Sequence, residues 1–297
     1  AAILQGASYP FLNCANKVFR KKINPAMIYH FSLIYPADRP SVSVSDLLRQ
    51  LLIPRKWRHY LRTERQVLVN GQYRSFNQLI KGNEKVDLYL DQVESLQGDY
   101  PASGKMPKVV YEDENVLVID KPKGQKTHPN QGENGTALND CASYLGYSPY
   151  IVHRLDMLTG GLLLVAKNPA VVPILNRQLT SKTLRRDYLA TVDLNKEIPD
   201  QGTIDLPIGQ DPANQRKRQV RADGLRAVSH FQVLEKYEEK KQAKLLVTLE
   251  TGRTHQIRAT MADLGCPLLG DGKYGRGDVN RRYGETRQAL YAYKLTF

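Results

Sequence analysis

The stretch Val152–Lys167, which reads VHRLDMLTGGLLLVAK, decides how the whole chain is interpreted. Its carboxylate, Asp156, follows His153 and Arg154 and precedes a Thr-Gly-Gly turn and the apolar run Leu162–Val165. An apolar run of this length is typical of a buried strand. Charged side chains at the entrance of a buried strand are costly unless they line a pocket. The stretch therefore predicts a carboxylate site before a strand, while a surface turn with a helix cap or an ion pair fits the spacing equally.

The regions around this stretch predict strands and helices that do not alternate regularly. Val116–Ile119 is a second apolar run of strand length, and Ala227–Tyr237 and Lys244–Thr251 flank a charged turn, which predicts a long antiparallel pair. A helix capped by Thr254 is predicted next, because apolar residues then recur on one helical face: Ile257, Met261 and Leu264. We therefore expect an α+β fold around a mixed, mainly antiparallel sheet rather than a doubly wound parallel sheet.

The first third of the chain predicts a small α/β domain over residues 41–93. A hairpin is indicated by Asn-Gly at residues 70–71, and alternating apolar residues predict a strand over residues 86–90. Four leucines are expected on one face of an earlier helix: Leu47, Leu48, Leu51 and Leu52. Basic side chains lie among and after these leucines and are candidate phosphate contacts: Arg49, Arg55, Lys56, Arg58, Arg62 and Arg65.

The remaining boundaries follow from composition. Residues 94–107 (ESLQGDYPASGKMP) are polar and lack periodicity, which predicts a linker, and residues 108–297 are expected to form a second domain. Residues 1–40 are interpreted as an N-terminal extension. Within it, residues 1–26 lack the basic start and long apolar core of a secretory signal. They are either a mobile extension or pro-segment, or they precede a native start at Met27, which we favour.

Composition limits the class of partner. The chain has 297 residues, and its 43 Lys and Arg exceed its 30 Asp and Glu by 13. Such a surplus favours a polyanion, because each neutralised phosphate releases counterions, although a well-solvated basic surface would give the same count. The three cysteines are far apart and form no C-x-x-C pair, so we expect reduced thiols, no disulfide framework, no metal site and a cytoplasmic protein. No apolar run approaches the roughly 20 residues that cross a bilayer, and we expect a monomer without a membrane partner.

With these features in place, the sequence resembles the bacterial pseudouridine synthases that modify large-subunit ribosomal RNA. The central motif, H-R-L-D-x-x-T-x-G-L-L-L-x-A-K, lies at residues 153–167. Further family motifs follow in the right order along the whole catalytic region: residues 111–122 with 128–129, 186–190, 251–258 and 265–271. Residues 41–93 similarly resemble the small alpha-L RNA-binding module that often precedes this domain. The resemblance implies a pseudouridine synthase fold and no cofactor.

The resemblance also implies roles for individual residues. Asp156 matches the essential aspartate, Tyr188 the residue that stacks on the target base and is able to move a proton, and Arg258 the partner of the aspartate. Arg154 matches the arginine that enters the RNA where the base has left. We count four neighbours as further substrate contacts: His153, Thr159, Arg253 and His255. The basic string at residues 216–218 with Arg221 is either a solvated loop or a phosphate-contacting loop.

Physical chemistry supports these roles. The base must be detached, rotated and held before carbon 5 joins the ribose, and an aromatic face stabilises an unstacked base by roughly 1–3 kcal/mol. A neighbouring arginine favours the ionised carboxylate that attack or proton abstraction requires. Attack of Asp156 on carbon 6, attack on ribose carbon 1, and removal of a ribose proton remain open.

We therefore expect an isomerase that converts uridines of structured RNA, foremost 23S ribosomal RNA, to pseudouridine by base flipping. A synthase acting on transfer RNA is one alternative. A catalytically silent RNA-binding or ribosome-assembly factor on the same fold is another, disfavoured because Asp156, Tyr188 and Arg258 occur together. A hydrolase or metal-dependent nuclease is disfavoured because clustered carboxylates, Cys/His ligand pairs and a Gly-rich phosphate loop are missing from the sequence.

Overall fold

In the computed structural model, the described residues 29–90 form two small sheets and two short helices. The model describes residues 3–4, 29–90, 97–282 and 287–297. Strands β2, β7, β4 and β5 form an antiparallel sheet in that order, and β3 pairs with β6. The elements of this part are β2 (Tyr29–Ile34), β3 (Val42–Ser43), α1 (Val44–Gln50), α2 (Arg55–Thr63), β4 (Val67–Val69), β5 (Gln72–Tyr73), β6 (Leu79–Ile80) and β7 (Lys85–Leu90).

Two predictions for this part have different outcomes. The Asn-Gly hairpin is confirmed: Asn70 and Gly71 have φ of 51° and 82°, and they join β4 to β5 as a turn with two positive φ angles does. The leucine helix is only half right. Leu47 and Leu48 are buried in α1, but α1 ends at Gln50 and Leu52 has φ of 61°. The helix closes at this left-handed residue, because Leu52 N–H donates to Arg49 O and Ile53 N–H donates to Leu48 O.

The pairing of β2 with β7 bears on the domain boundary. β2 begins at Tyr29, in the segment interpreted as an extension, and it pairs with β7 over its whole length. Beyond the gap, the segment interpreted as a linker hydrogen-bonds to the second domain, where Tyr100 N–H donates to Ser148 Oγ at 2.7 Å. We therefore propose that the first domain begins near Tyr29 and that residues 97–105 belong structurally to the second. The expectation of a start at Met27 lies outside the described residues.

The second domain is built on one large sheet. Its path is β14-β13-β15-β16-β12-β17-β11-β9-β8, with β1 beside β17 and β10 beside β11. The pairs β11–β17 and β1–β17 are parallel and the other pairs of this sheet are antiparallel among the described residues. Its strands are β1 (Ile3–Leu4), β8 (Val109–Glu112), β9 (Val116–Lys121), β10 (Tyr150–Ile151), β11 (Gly160–Ala166), β12 (Arg185–Asp193), β13 (Gln201–Gln210), β14 (Arg218–Val220), β15 (Leu225–Tyr237), β16 (Gln242–Leu249) and β17 (Leu290–Thr296).

Among the described residues, four α-helices accompany this sheet: α3 (Ala137–Leu145), α4 (Val172–Thr180), α5 (Gln256–Asp263) and α6 (Gly277–Arg282). The mixed, mainly antiparallel α+β fold is thus confirmed, as are the buried strands β9 and β11 and the long pair β15–β16. The first domain meets the second at α4, because Ile174 and the preceding Ala170 share its hydrophobic cluster. In the described part of the chain, no helix is long and apolar enough to cross a membrane.

The start of α5 differs from the prediction. Thr254 was expected to cap this helix, but the N-cap position is occupied by His255, whose φ is 57°. Gln256 supports the preceding loop instead, since its Oε1 accepts hydrogen bonds from Thr251 Oγ1 at 2.8 Å and from Arg253 N–H at 3.0 Å. The predicted apolar face is confirmed for Ile257 and Met261, which are buried. The tight turn at the helix start brings α5 to the edge of a cavity.

Candidate active site

A cavity of about 760 Å³ lies between the loop that precedes β11, the middle of β12 and the loop that precedes α5. All catalytic and substrate-binding residues predicted from the sequence line it: His153, Arg154, Asp156, Thr159, Tyr188, Arg253, His255 and Arg258. These residues come from segments up to about a hundred positions apart, so the sheet topology brings them together. The eight side chains therefore share one cavity.

The loop that carries Asp156 is fixed by buried hydrogen bonds. Thr127 Oγ1 donates to Leu155 O at 2.7 Å and accepts from Leu155 N–H at 3.1 Å. The fully buried Lys121 donates from Nζ to backbone carbonyls, among them Gln125 O at 2.7 Å. Its burial lowers the pKa of Lys121 to about 8, against the attraction of Asp156. The loop is therefore held rigidly where β11 begins.

The second residue of β11 is a glycine that no other residue can replace without movement. Gly161 has φ of 109°, and a Cβ there would lie 2.3 Å from the backbone oxygen of Ala292 on β17. This close approach lets β11 and β17 pair in parallel beside the Asp156 loop. The second glycine of the Thr-Gly-Gly turn thus allows the backbones of β11 and β17 to approach each other closely.

Asp156 is held at one oxygen by Arg258. Arg258 Nη1 donates to Asp156 Oδ2 at 2.9 Å, while among the described residues no group hydrogen-bonds to Oδ1. The aspartate side chain is 26% exposed and the arginine 5% exposed, so the carboxylate reaches the cavity and the guanidinium is buried. The predicted pairing of Arg258 with Asp156 is therefore present in the structure. A carboxylate with one free oxygen can act as a nucleophile or as a base.

Asp271 anchors Arg258 from the other side. Its Oδ2 accepts from Arg258 Nε at 2.7 Å and its Oδ1 from Nη2 at 3.0 Å, a bidentate pair of a kind that fixes a guanidinium plane. Burial acts to raise the pKa of Asp271, but the hydrogen bonds and charge of Arg258, with two backbone N–H groups, outweigh it and lower the pKa. Asp271 is fully buried, so it positions the arginine without access to a ligand.

His255 and Tyr274 close the far side of Asp156. His255 Nε2 lies 3.8 Å from Asp156 Oδ2, and His255 Nδ1 hydrogen-bonds to the Tyr274 hydroxyl at 2.8 Å. Burial lowers the pKa of His255 to about 4, and Arg258 and Lys273 add to this effect while Asp156 opposes it. The imidazole is therefore neutral near neutral pH. The Tyr274 ring also stacks below Arg258, whose Cζ is 5.1 Å from the ring centroid.

Tyr188 provides an aromatic surface in the cavity. It lies on β12, is 5% exposed and lines the cavity together with the apolar Ile257 and Leu290. Its hydroxyl has no hydrogen-bond partner within the described ranges. Burial raises the pKa of Tyr188, and the carboxylates of Asp156 and Asp187 contribute in the same direction against the effect of Arg186. The phenol therefore stays protonated, able to stack on a base and to donate a hydrogen bond.

Two predicted substrate contacts have structural partners. His153 is buried and its Nε2 accepts a hydrogen bond from Leu164 N–H at 3.1 Å, which ties the Asp156 loop to β11. Thr159 is buried as well, and its Oγ1 accepts from Gln288 Nε2 at 2.6 Å. Each side chain thus faces a partner in the protein. We therefore propose that His153 and Thr159 position the loop rather than bind the substrate.

The remaining predicted contacts, Arg154 and Arg253, are exposed at the cavity mouth. Arg154 has no ion pair or hydrogen bond among the described residues. Arg253 Nε donates to the backbone oxygen of Arg226 at 3.0 Å, which leaves its terminal nitrogens toward solvent. Both positions suit contact with a ligand that extends beyond the cavity.

The basic residues of the first domain differ in their surroundings. Arg49 donates to Asp46 at 2.7 Å, and Arg65 lies over the ring of Tyr73, 5.5 Å from its centroid. Arg58 is half-buried with an unpartnered Nε. The remaining three are exposed on α2 and form no ion pair in the part of the chain that the structure describes: Arg55, Lys56 and Arg62.

The basic string at residues 216–218 lies close to the site. The backbone N–H of Arg218 donates to the Tyr274 hydroxyl at 2.7 Å, and Lys217 Nζ is 5.9 Å from the Tyr274 ring centroid. Tyr274 therefore joins this loop to His255 and Arg258. Arg221 is instead paired with Asp223. A loop tied in this way is not merely a solvated surface segment.

Asp271 and Tyr274 were assigned no role from the sequence. Asp271 is the last residue of the family motif at residues 265–271. Its position after Gly270 in this motif is the sequence feature that could have marked it as a site residue. Its partner could not be read from spacing, because the chain must fold back over 13 positions to meet Arg258. Tyr274 is one of 17 tyrosines and carried no signal of its own.

Comparisons with known proteins agree with this geometry. The family model described as RNA pseudouridylate synthase matches residues 115–263, and the model described as the RluD ribosomal pseudouridine synthase N-terminal domain matches residues 31–86. The chain is 41% identical to the RNA pseudouridine synthase YlyB of Bacillus subtilis over 241 residues, which covers 78% of this chain and 77% of that one.

Two further likenesses extend the match. The chain is 36% identical to ribosomal large subunit pseudouridine synthase D of Nitrosomonas europaea, over 89% of this chain and 79% of that one. The solved structure of human RNA pseudouridylate synthase domain containing 1 superposes with a TM-score of 0.55 at 25% identity, over 66% of this chain and 80% of that one. The chain belongs to the family of RNA pseudouridylate synthases, which are isomerases.

Proposed function

We propose that this enzyme isomerises specific uridines of large-subunit ribosomal RNA to pseudouridine, with Asp156 as the catalytic carboxylate. The substrate class is supported by the relatives, several of which are named ribosomal large subunit pseudouridine synthase D. The match of residues 31–86 to the N-terminal domain of such synthases supports the same substrate. Transfer RNA remains the competing substrate.

One observation carries the assignment of the site. Asp156 presents a free Oδ1 to the cavity while Arg258 holds Oδ2, and the buried ring of Tyr188 lines the same cavity. The carboxylate, the guanidinium and the aromatic face are the three groups that a flipped uridine requires. A base that leaves its stack can lie against the Tyr188 ring with its reacting atoms toward Oδ1.

The reaction balances without a cofactor. The bond from N1 of uracil to ribose carbon 1 breaks, the base turns, and carbon 5 forms the new bond to carbon 1. The hydrogen on carbon 5 leaves as a proton and N1 gains a proton, so the product is an isomer of the substrate. Asp156 acts on carbon 6, on carbon 1 or on a ribose proton, and each route uses the free Oδ1. Tyr188 is proposed to stack on the base and to return a proton, which its position on the cavity wall supports.

The other residues have supporting roles. Arg154, exposed at the cavity mouth, is proposed to fill the gap that the flipped base leaves, because a planar guanidinium can stack on bases and meet a phosphate at once. The exposed basic side chains of α2 are proposed to bind phosphates of the same RNA and add affinity rather than chemistry. We propose that the enzyme acts as a cytoplasmic monomer, where its RNA is made.

The central test replaces Asp156 with Asn, which keeps the size of the side chain and removes its charge. Asp263→Asn is the matched control, because Asp263 is an exposed carboxylate on the helix that carries Arg258. We expect Asp156→Asn to abolish tritium release from ribosomal RNA labelled at carbon 5 of uridine, with RNA binding retained. The control should keep both. Tritium release by Asp156→Asn at a rate near that of the control would refute the assignment.

The substrate is tested separately by deleting the gene and mapping pseudouridine in all stable RNA. Sites lost from 23S ribosomal RNA and restored by the wild-type gene, but not by Asp156→Asn, are the expected result. Loss confined to transfer RNA would replace the proposed substrate. A full set of pseudouridines in the deletion strain would favour the catalytically silent binding factor.

A further inference from the structure

Arg186 is a buried cation in the active-site cavity that the mechanism above does not use. It lies on β12, is 8% exposed and lines the cavity. Its Nε is buried without a hydrogen-bond partner, and its side chain forms no ion pair or hydrogen bond within the described ranges. Its terminal nitrogens lie beside Gly252, which lines the same cavity. Buried charges in proteins are normally paired, so this one points to a ligand.

The carboxylates around Arg186 cannot neutralise it. Asp187, the next residue, faces the opposite side of the sheet, where its Oδ1 accepts from Thr248 Oγ1 at 2.7 Å. Glu250, on the cavity wall, is occupied by Lys182 at 3.1 Å and His230 at 2.8 Å. Asp156 is held by Arg258. No carboxylate of the described residues therefore compensates the charge of the guanidinium.

The other neighbours add no negative charge. Burial lowers the pKa of His153 to about 3, with the charge of Arg186 as a second cause, so this imidazole stays neutral beside it. A Cβ on Gly252 would lie 2.7 Å from Arg186 Nη1, which places the guanidinium directly against the loop before α5. The charge thus sits between the strand and that loop, at a wall of the cavity.

The position of Arg186 relative to Tyr188 suggests which ligand it meets. The two residues are separated by one position on β12 and face the same side, about 7 Å apart along the strand. A nucleotide whose base lies on the Tyr188 ring brings its backbone within reach of a group at that distance. Uracil is neutral, whereas a phosphodiester carries a full negative charge and two oxygens that match the guanidinium fork.

We propose that Arg186 binds a phosphodiester that flanks the flipped uridine. This inference rests on the proposed function, because it takes the base to lie against Tyr188. Arg186 is then a substrate-binding residue that holds the extruded nucleotide by its backbone, independently of base identity. Its buried charge is unmatched in the free enzyme and is matched when the RNA enters.

The test compares Arg186→Gln with Arg185→Gln, since Arg185 is the adjacent exposed arginine and carries the same charge. Binding of a short RNA hairpin with uridines in its loop is measured over a salt series. For Arg186→Gln we expect affinity to fall about 10- to 100-fold, as for a charge-assisted hydrogen bond. The slope of log affinity against log salt should fall by about 0.7, one phosphate of a single strand. Arg185→Gln should change both much less.

Neutral methylphosphonate linkages, placed in turn at each loop position of the hairpin, locate the contact. One linkage should weaken binding by the wild type and leave Arg186→Gln unaffected. Equal losses in both proteins at every position, or an unchanged salt slope, would overturn the proposal. Arg186→Lys should retain the salt slope with weaker binding, because a lysine keeps the charge without the fork.

Thermal unfolding separates a ligand contact from a structural one. Removal of an uncompensated buried charge should leave the melting temperature unchanged or raise it, and a fall of several degrees in Arg186→Gln would identify a structural residue and overturn the proposal. Binding requires no turnover, so the proposed function is judged by tritium release from the wild type. Binding of the hairpin with the expected slopes, together with no tritium release by the wild type from ribosomal RNA labelled at carbon 5 of uridine, would refute the function alone.

Discussion

Asp271 is the residue through which the position of Arg258 can be tested without touching the catalytic carboxylate. Its Oδ1 accepts from Arg258 Nη2 at 3.0 Å and from the backbone N–H groups of Lys273 at 2.9 Å and Tyr274 at 3.2 Å, while its Oδ2 accepts from Arg258 Nε at 2.7 Å. In Asp271→Asn the amide oxygen best replaces Oδ1, because that atom accepts three bonds. The amide NH₂ then faces Arg258 Nε–H, donor against donor.

The cost follows from this geometry. Removing one partner of a buried ion pair destabilises a protein by about 3–5 kcal/mol. In Asp271→Asn, Arg258 still pairs with Asp156, and the amide oxygen still accepts the hydrogen bonds that Oδ1 accepts in the wild type. We therefore expect a destabilisation at the lower end of this range, about 3 kcal/mol. For a domain of this size each kcal/mol lowers the melting temperature by about 2–4 °C, which gives on the order of 10 °C. A guanidinium displaced by about 1 Å would lower kcat by about 100-fold, with RNA affinity nearly unchanged.

The assay measures urea unfolding and tritium release for Asp271→Asn beside Asp278→Asn. Asp278 is an exposed carboxylate on α6 that pairs with Arg276 at the surface, so its loss should leave the free energy of unfolding nearly unchanged. Both variants lose one negative charge, and only the first loosens Arg258. Unfolding within about 0.5 kcal/mol of the control, with a similar kcat, would show that Asp271 does not hold the arginine.

Three further predictions concern separate parts of the molecule. Arg154→Lys should lose most tritium release on structured RNA and less on RNA whose target uridine is already unpaired; equal losses would assign Arg154 to the chemistry or the loop. Replacing Arg55, Lys56 and Arg62 with Gln should lower the salt slope of RNA binding by about 2 at an unchanged saturated rate, and an unchanged slope would exclude contact by α2. Burial lowers the pKa of His153 to about 3 from 6.5. Between pH 6.5 and about pH 3 the unfolded chain binds a proton at His153 that the folded chain does not, so the free energy of unfolding falls as the pH is lowered. His153→Gln keeps an acceptor for Leu164 N–H and should flatten urea-unfolding stability between neutral pH and about pH 5, by up to about 1.4 kcal/mol per pH unit; an unchanged pH dependence would mean that another group is responsible.

Local patterns were sufficient where the physical cause is local. The Asn70-Gly71 turn needs two positive φ angles, and few other dipeptides adopt them readily. The long pair β15–β16 follows from two apolar stretches around one charged turn. The Asp156 loop was recognisable because its motif is continuous in sequence. The same local pattern predicts too long a leucine helix, because the leucines continue past Gln50 whereas Leu52 adopts a left-handed conformation.

Other features depend on distant parts of the chain. The sequence shows that Arg186 and Tyr188 share a strand face, but it does not show that Arg186 lacks a carboxylate partner among the residues that the structure describes. The orientation of His153 depends on β11, which folds over it and supplies the Leu164 N–H group. Asp271 becomes a partner of Arg258 only after the loop beyond α5 returns to that helix. Burial and pairing of these groups are properties of the assembled sheet.

The arrangement of Arg258 between two carboxylates explains how Asp156 can be both fixed and reactive. A guanidinium can donate a fork of two hydrogen bonds to one carboxylate, and such a fork would occupy both oxygens of Asp156. Here Asp271 takes Nε and Nη2, so Asp156 receives a hydrogen bond from Nη1 and keeps Oδ1 free. The positive charge of Arg258 is also shared between two carboxylates. The three side chains Asp156, Arg258 and Asp271 together therefore carry a net negative charge. Asp271 thereby limits how far Arg258 neutralises the negative charge of Asp156, the carboxylate that must react.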